Sequence, residues 1–216
     1  MIHVTEQIES PDFNASVRVP GRRFLNRYIG RPLLSKDFQN HWSNCLRELR
    51  IAYMGICAYT ASYVPLDIAN SVGSVDHFIG KTTDRELAYE WTNYRFCTPR
   101  VNTNKGNSER VMDPFHITNG WFILDFDSYL VMPASDLPEF LETSVQNTID
   151  DLKLNDDDNI AQARADQVQE YIDGHVTFDF LERKYPFIAM ELTRQRLQAS
   201  IKLRTRKTPV IRRPIN

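Results

Sequence analysis

Apolar residues first recur at helical spacing after an irregular opening segment. A helix is predicted from Ser35, which caps it, to about Tyr53, with Asp37 in the first turn where a negative charge is favourable. Its apolar face is formed by Phe38, Trp42, Leu46 and Leu49. Residues 1–35 show no lasting period and are interrupted by prolines and glycines, so we predict an irregular arm there.

Short apolar runs in the middle of the chain predict strands. The runs at 55–60 and 74–78 are interpreted as the two strands of a hairpin. A further short strand at 93–97 leads into a helix that is predicted to start at about Pro99. Proline suits that position because the first helical turn does not use the N–H that proline lacks.

The last third of the chain changes from strands to helices. Apolar runs at 121–124 and 129–132 flank a polar turn and predict a second hairpin. After Pro133 only helices are predicted. They start at a capping box of Asp136 and Glu139, at Asp156–Asp158 and at Pro186, and the last ends near Leu203.

These elements predict an α+β fold in four regions. A basic arm (1–35) precedes a core of short strands and helices (36–134), a helical C-terminal region (135–203) and a basic tail (204–216). With 216 residues, 42% of them apolar and 25% charged, the chain can bury a substantial core.

The charge distribution and the cysteine content indicate the kind of partner and the cellular compartment. The net charge is only −2, but residues 17–50 and the tail are strongly basic. This favours a polyanionic partner, although solubilising or subunit-docking termini would look the same. Three cysteines cannot all pair, and with no signal peptide this predicts a reducing cytoplasm. The longest apolar run, Ile51–Ala61, is about half the ~20 residues of a membrane span, so no membrane partner is expected.

The stretch 74–106 carries the candidate chemistry. Asp76 and His77 stand together at the end of a short strand, and Asn93 and Asn102 follow. Hydrolysis of a phosphodiester needs a base that deprotonates water and a cation that stabilises the developing charge. A neutral imidazole can be that base, and carboxylate and amide oxygens suit Mg²⁺ or Mn²⁺ better than Zn²⁺. The pattern predicts a phosphodiesterase site with one divalent ion.

The same residues resemble the HNH (His-Me finger) endonucleases, in the variant whose last position is Asn. The core of that family is a β-hairpin and a helix around one metal ion, so the resemblance implies a ββα-metal core, with flanking helices, at 36–134. Asp76 and Asn102 would be the metal ligands. His77 would be the general base, and Asn93 would hold the loop that orients it.

The resemblance also implies contacts with nucleic acid. Lys105, one helical turn after Asn102, would face the phosphates. Arg95, Arg100 and the basic ends would add to this binding, which should weaken steeply with salt.

One departure from the family concerns zinc. Many relatives have two Cys-x-x-Cys pairs whose four thiolates bind a structural zinc ion. Here each pair keeps one cysteine, Cys57 or Cys97, and the second position is Thr60 or Arg100. Two thiolates cannot complete a tetrahedral site, so we expect no structural zinc and two small buried cysteines.

Beyond the motif residues themselves, the sequence resembles one branch of the family. The stretches 87–95 and 148–155 and the Asp113-Pro114 turn are similar to HNH proteins of bacterial anti-phage systems. In Septu and some retrons such a protein is the nuclease partner of an ABC-type ATPase, which implies a regulated subunit docked through its helical half or its arm. Two alternatives stay open, a catalytically inactive scaffold subunit with the same fold and a module that binds nucleic acid without cleaving it.

Overall fold

A computed structural model describes residues 1–66, 73–156 and 158–201. The described residues form a mixed α+β structure, as predicted, with seven α-helices and two small antiparallel sheets. The helices are α1 (Val19–Asn26), α2 (Leu46–Ala52), α3 (Pro99–Lys105), α4 (Glu139–Asp151), α5 (Asp158–Ile172), α6 (Phe178–Lys184) and α7 (Pro186–Arg194). The strands are β1 (Ser74–His77), β2 (Tyr94–Cys97), β3 (Phe122–Leu124) and β4 (Val131–Pro133). In this part of the chain, no helix is both long and apolar enough to cross a membrane.

The N-terminal arm is more regular than its composition predicts. A π-helical turn at Asn14–Arg18 runs directly into α1, so the prediction of an irregular segment is wrong for this stretch. Pro20 lies in the first turn of α1, where its missing N–H does no harm. Gly21 is needed for close packing, because a Cβ there would lie 2.1 Å from Cγ of Tyr89. The arm buries an apolar face formed by Phe13, Val17, Phe24 and Leu25.

The helix predicted from Ser35 is broken into three pieces. Two short 3₁₀ turns, Ser35–Asp37 and Trp42–Cys45, precede α2. Between them Phe38 is extended, and the backbone carbonyl of Gln39 accepts a hydrogen bond from the hydroxyl of Tyr89 at 2.9 Å. The break leaves Trp42 only partly buried, on the side of the molecule that faces the candidate site.

The first hairpin has a different partner strand from the one predicted. β1 pairs antiparallel with β2, with Asp76 opposite Arg95 and His77 opposite Tyr94. The run at 55–60 instead turns back on itself, since the N–H of Ala61 donates to the carbonyl of Cys57 at 2.9 Å. Only the N–H of Ala58, which donates to the carbonyl of Phe96 at 2.8 Å, joins this run to the edge of β2.

The second hairpin and most of the C-terminal helices follow the prediction. β3 pairs with β4 at the expected place. α4 starts after Pro138 with no side-chain cap, so the capping box predicted at Asp136 and Glu139 is wrong. The separate helix α6 was not predicted, and α7 ends at Arg194, well before Leu203. The predicted basic tail, 204–216, lies outside the described residues.

One large cluster of buried apolar side chains connects these regions. It includes residues of the arm, both hairpins and the C-terminal helices, among them Phe13, Phe96, Phe122, Ile149 and Leu192. Apolar residues of β1 and β2 belong to this cluster, and α3 packs against β1. The candidate residues are therefore held by a hairpin and a short helix that are anchored in the core.

Candidate functional site

A polar cavity of about 360 Å³ opens beside β1 and α3. Asp76, His77 and Asn102, three of the residues singled out in the sequence, all line it. Most of the remaining wall comes from the broken segment before α2, with Trp42 and Ser43, from the loop after β1, with Gly80 and Lys81, and from Asn107 just after α3. The fold thus brings the candidate base and both candidate metal ligands to one cavity.

The carboxylate of Asp76 is almost fully buried and has two partners. The hydroxyl of Tyr59 donates to its Oδ2, and the ammonium of Lys105 lies 3.1 Å from its Oδ1. Burial raises the pKa of Asp76, because desolvation disfavours the charged form, while the nearby Lys105 opposes that rise. A carboxylate has about four lone-pair positions, so these two contacts leave room for a further ligand.

Lys105 is not placed as the sequence led us to expect. Its side chain is buried, and its ammonium donates to Asp76 and to the backbone carbonyls of His77 and Phe78, each at 3.1 Å. All three protons of the ammonium therefore have acceptors inside the protein. The expectation that Lys105 faces phosphates is corrected, because a lysine one turn after Asn102 reaches the strand and not the solvent.

The imidazole of His77 is held in one orientation. Its Nε2 lies 2.9 Å from the backbone carbonyl of Ala88, which can only accept, so Nε2 carries the proton and Nδ1 keeps a lone pair. The rings of Trp42 and Tyr94 contact it edge-on, with centroids at 4.8 and 5.1 Å. Burial, followed by the positive charge of Lys81, lowers the pKa of His77 to about 3, so the ring is neutral at cellular pH.

Asn93 bridges both ends of the loop that follows β1. Its Oδ1 accepts a hydrogen bond from the N–H of Ile79 at 2.8 Å. Its Nδ2 donates to the carbonyls of Ile79 and Leu87, at 3.0 and 3.1 Å. Leu87 precedes Ala88, whose carbonyl fixes the imidazole of His77. The loop-holding role expected for Asn93 is compatible with these contacts.

Asn102 lines the cavity and is held through its amide nitrogen. Thr98 caps α3 by accepting a hydrogen bond from the N–H of Val101, and this start brings Asn102 against β1. The Nδ2 of Asn102 donates to the hydroxyl of Ser74 at 2.7 Å and to the carbonyl of Val75 at 3.3 Å. Among the described residues no donor is paired with its Oδ1, which is the atom a hard metal ion would bind.

Arg95 and Arg100, the two arginines expected to bind nucleic acid, differ in burial. Arg95 is 3% exposed, and its guanidinium binds both oxygens of Asp113, at 2.8 and 2.6 Å, while it stacks 3.5 Å from the centre of the Phe115 ring. We therefore correct the expectation that Arg95 contacts phosphate, because it is a structural ion pair. Arg100 is exposed in the first turn of α3.

The donor set fits a divalent ion held by few protein atoms. One carboxylate and one amide oxygen, from Asp76 and Asn102, are hard ligands of the kind Mg²⁺ and Mn²⁺ accept. In the described part of the chain, no group of three or more His, Cys, Asp or Glu side chains could hold a metal. Cys57 and Cys97 are fully buried free thiols, and burial raises the pKa of Cys97 well above its usual range.

The sequence did not identify three residues as part of the site. Tyr59 holds Asp76, Trp42 packs on His77, and Lys81 places its ammonium 4.2 Å from the centre of the Trp42 ring. Trp42 was interpreted as core because of its helical spacing, and nothing in the local pattern marks Tyr59 or Lys81. Only the tertiary structure brings them to the cavity.

Comparison with known proteins gives no support of its own. No protein-family model matches the chain, and no match was found among curated proteins. The function must therefore be argued from the cavity.

Proposed function

We propose that this protein is a metal-dependent endonuclease of the HNH type that hydrolyses phosphodiester bonds of nucleic acid. The observation that carries the proposal is the shared cavity, where a neutral, oriented imidazole lies beside a carboxylate and an amide oxygen. These groups are what phosphodiester hydrolysis requires, a base for water and oxygens for a divalent ion. The sequence resemblance points to the same residues independently of their contacts.

In this proposal His77 takes a proton from water. Its Nδ1 has the lone pair that accepts the proton, since Nε2 is committed to the carbonyl of Ala88. The deprotonated water oxygen attacks phosphorus, and the bond from phosphorus to the leaving sugar oxygen breaks. Asn93 keeps the base in place by tying together the ends of the loop, at Ile79 and Leu87. The loop is thereby preorganised, which avoids a reorganisation cost during the reaction.

Asp76 and Asn102 would hold the ion. When bound, a divalent ion supplies positive charge that polarises the phosphoryl oxygen and stabilises the leaving oxyanion. Tyr59 fixes the orientation of the Asp76 carboxylate, and Ser74 and Val75 fix that of the Asn102 amide. The two ligand side chains are therefore positioned before any ion arrives.

The wider setting is also part of the proposal. By its resemblance to anti-phage HNH proteins, the chain would be the regulated nuclease subunit of a defence complex with an ABC-type ATPase. Exposed apolar side chains, among them Ile29 and Phe140, offer contact area for such a partner on the arm and on α4.

A nuclease assay tests the proposal. The full chain, alone and with a candidate ATPase, is incubated with plasmid, single-stranded DNA and tRNA in Mg²⁺, Mn²⁺ or EDTA. We expect metal-dependent products that disappear with His77→Ala. The matched control is His175→Ala, because His175 lies just after α5, is exposed and contacts the side chain of Glu170. Cleavage that persists in EDTA, or that His77→Ala leaves unchanged, would refute the proposal.

A second candidate, a catalytically inactive scaffold subunit, is favoured by one observation. Both oxygens of Asp76 already have partners, and the ammonium of Lys105 neutralises the carboxylate that a divalent ion would need. An ion would have to share Asp76 with a cation 3.1 Å away.

Metal affinity separates these two functions. The melting temperature of the wild type and of Asp76→Asn is measured across a Mn²⁺ titration, because a ligand that binds only the folded state raises it. A shift in the wild type that Asp76→Asn removes supports the nuclease. Identical curves for the two proteins support the scaffold.

A further inference from the structure

Among the described residues that line the cavity, Lys81 is the one lysine or arginine. It follows β1 in the loop that Asn93 holds, and it lines the same cavity as Asp76, His77 and Asn102. No motif or spacing in the sequence singled it out.

The ammonium of Lys81 is held without a polar partner. Its Nζ lies 4.2 Å from the centre of the Trp42 ring and 5.9 Å from that of Phe38, so two aromatic faces support it. Within residues 1–66, 73–156 and 158–201, no carboxylate forms a salt bridge with it and no acceptor forms a hydrogen bond. It is also partly buried, and an ammonium that has lost part of its water has reason to bind an anion.

Two of the three cations that the sequence assigned to nucleic acid are already neutralised. Lys105 donates all its protons to Asp76 and to backbone carbonyls, and Arg95 is paired with Asp113. The cavity is therefore lined by the carboxylate of Asp76, by the amide of Asn102 and, as its cation, by Lys81. Trp42 sets the position of Lys81 relative to His77, because its indole contacts the imidazole of His77 and also lies under the ammonium of Lys81.

We propose that Lys81 binds a backbone phosphate of the nucleic acid and holds it beside His77. This inference deepens the proposed function and rests on it for the identity of the anion. The aromatic shelf of Trp42 and Phe38 keeps the long side chain extended, so that little side-chain entropy remains to be lost on binding. In this arrangement the substrate supplies the negative charge that the ammonium otherwise lacks.

The test separates binding from cleavage. Affinity for short fluorescent DNA and RNA oligonucleotides is measured by anisotropy in EDTA, so that no cleavage occurs, over a range of salt concentrations. The proteins are the full-length wild type, Lys81→Gln, Lys81→Arg and the control Lys153→Gln, an exposed lysine just after α4 that does not line the cavity. Thermal melting checks that each variant is folded, and kcat and KM are then measured in Mn²⁺.

Lys81→Gln is expected to weaken binding about 10- to 100-fold, the range of one charge-assisted contact. It should also reduce the salt slope by about one, whereas Lys153→Gln stays within about threefold of wild type. Lys81→Arg should recover most of the affinity, because it keeps the charge on the same aromatic shelf. In Mn²⁺ the loss should be found mainly in KM.

Other results would overturn the inference. If Lys81→Gln binds like Lys153→Gln, or if Lys81→Arg fails as badly as Lys81→Gln, the charge at this position does not hold a phosphate. A wild type that binds no oligonucleotide also rejects it. If the Lys81 effect on binding is present but the wild type cleaves nothing with any metal, the nuclease proposal fails while the phosphate site stands.

Discussion

The two hairpins are alike in size, but they differ in how many charged side chains they bury. β1 and β2 share four residue pairs, and β3 and β4 share three. The first hairpin encloses Asp76, Arg95 and Lys105, charged side chains that are each 2 or 3% exposed. The second encloses Phe122, Leu124 and Val131. A carboxylate is buried near it too, but on α7: Glu191 accepts a hydrogen bond from the Leu124 N–H at 3.0 Å and pairs with the partly exposed Arg194.

This difference suggests separate roles, with the second hairpin stabilising the fold and the first holding the candidate site. Apolar residues of similar volume often stabilise a fold better than a buried ion pair does, because desolvation of two charges costs more than their attraction returns. Packing alone therefore does not call for Asp76 and Lys105. We interpret the polar interior of the first hairpin as the part of the molecule selected for chemistry, and the second hairpin as support.

The largest expected effect comes from breaking the buried pair. Lys105→Met should lower the free energy of unfolding by about 3 to 5 kcal/mol, because it leaves the Asp76 carboxylate buried without its cation. The measurement is urea unfolding followed by circular dichroism. In the double variant Asp76→Asn, Lys105→Met most of the loss should be recovered, since the orphaned charge is removed. A loss below about 1 kcal/mol in the single variant would contradict the buried pair.

A substitution in the second hairpin should lower stability without lowering activity. Leu124→Ala should cost about 3 kcal/mol of unfolding free energy, because Leu124 is fully buried and truncation leaves a cavity. Its kcat/KM, corrected for the folded fraction, should equal that of the wild type. A fall in kcat/KM at a temperature where the variant is fully folded would remove the distinction between the two hairpins.

A smaller effect is expected where the first hairpin joins its loop. Asn93→Ala removes three hydrogen bonds to Ile79 and Leu87 and should cost about 2 kcal/mol of unfolding free energy. It should also lower kcat with little change in KM, because the backbone at Leu87, next to the Ala88 carbonyl that orients His77, loses a hydrogen bond. Steady-state kinetics decide this, and an unchanged kcat would show that the loop does not orient the base.

The local parts of the site could be predicted from the sequence. Asp76 and His77 on one strand, and Asn102 in a helix that begins at Pro99, depend on neighbours a few residues away, and the structure has both elements. The strand partner could not be predicted, because the runs at 55–60 and 93–97 are equally short and apolar. Which one pairs with β1 is decided by the turn at Ala61, which folds the first run back on itself.

The positions of the cationic side chains could not be predicted either, because they too depend on residues distant in the sequence. Lysine and arginine are usually exposed, so Lys105 and Arg95 were interpreted as phosphate ligands. Their burial depends on Asp76 and Asp113, acceptors that the fold brings to them from other elements. The opposite holds for Lys81, whose position in the cavity depends on Trp42 leaving the predicted helix.

Chemical rescue of His77→Ala tests the central claim most directly, that this imidazole is the base of a hydrolytic cavity. Removing the ring leaves a space beside Trp42 and Tyr94 that free imidazole can enter. We predict that His77→Ala cleaves nucleic acid about 10²- to 10⁴-fold more slowly than wild type in Mn²⁺, and that added imidazole restores part of the rate in a concentration-dependent way. A variant that cleaves at the wild-type rate without imidazole would contradict the account.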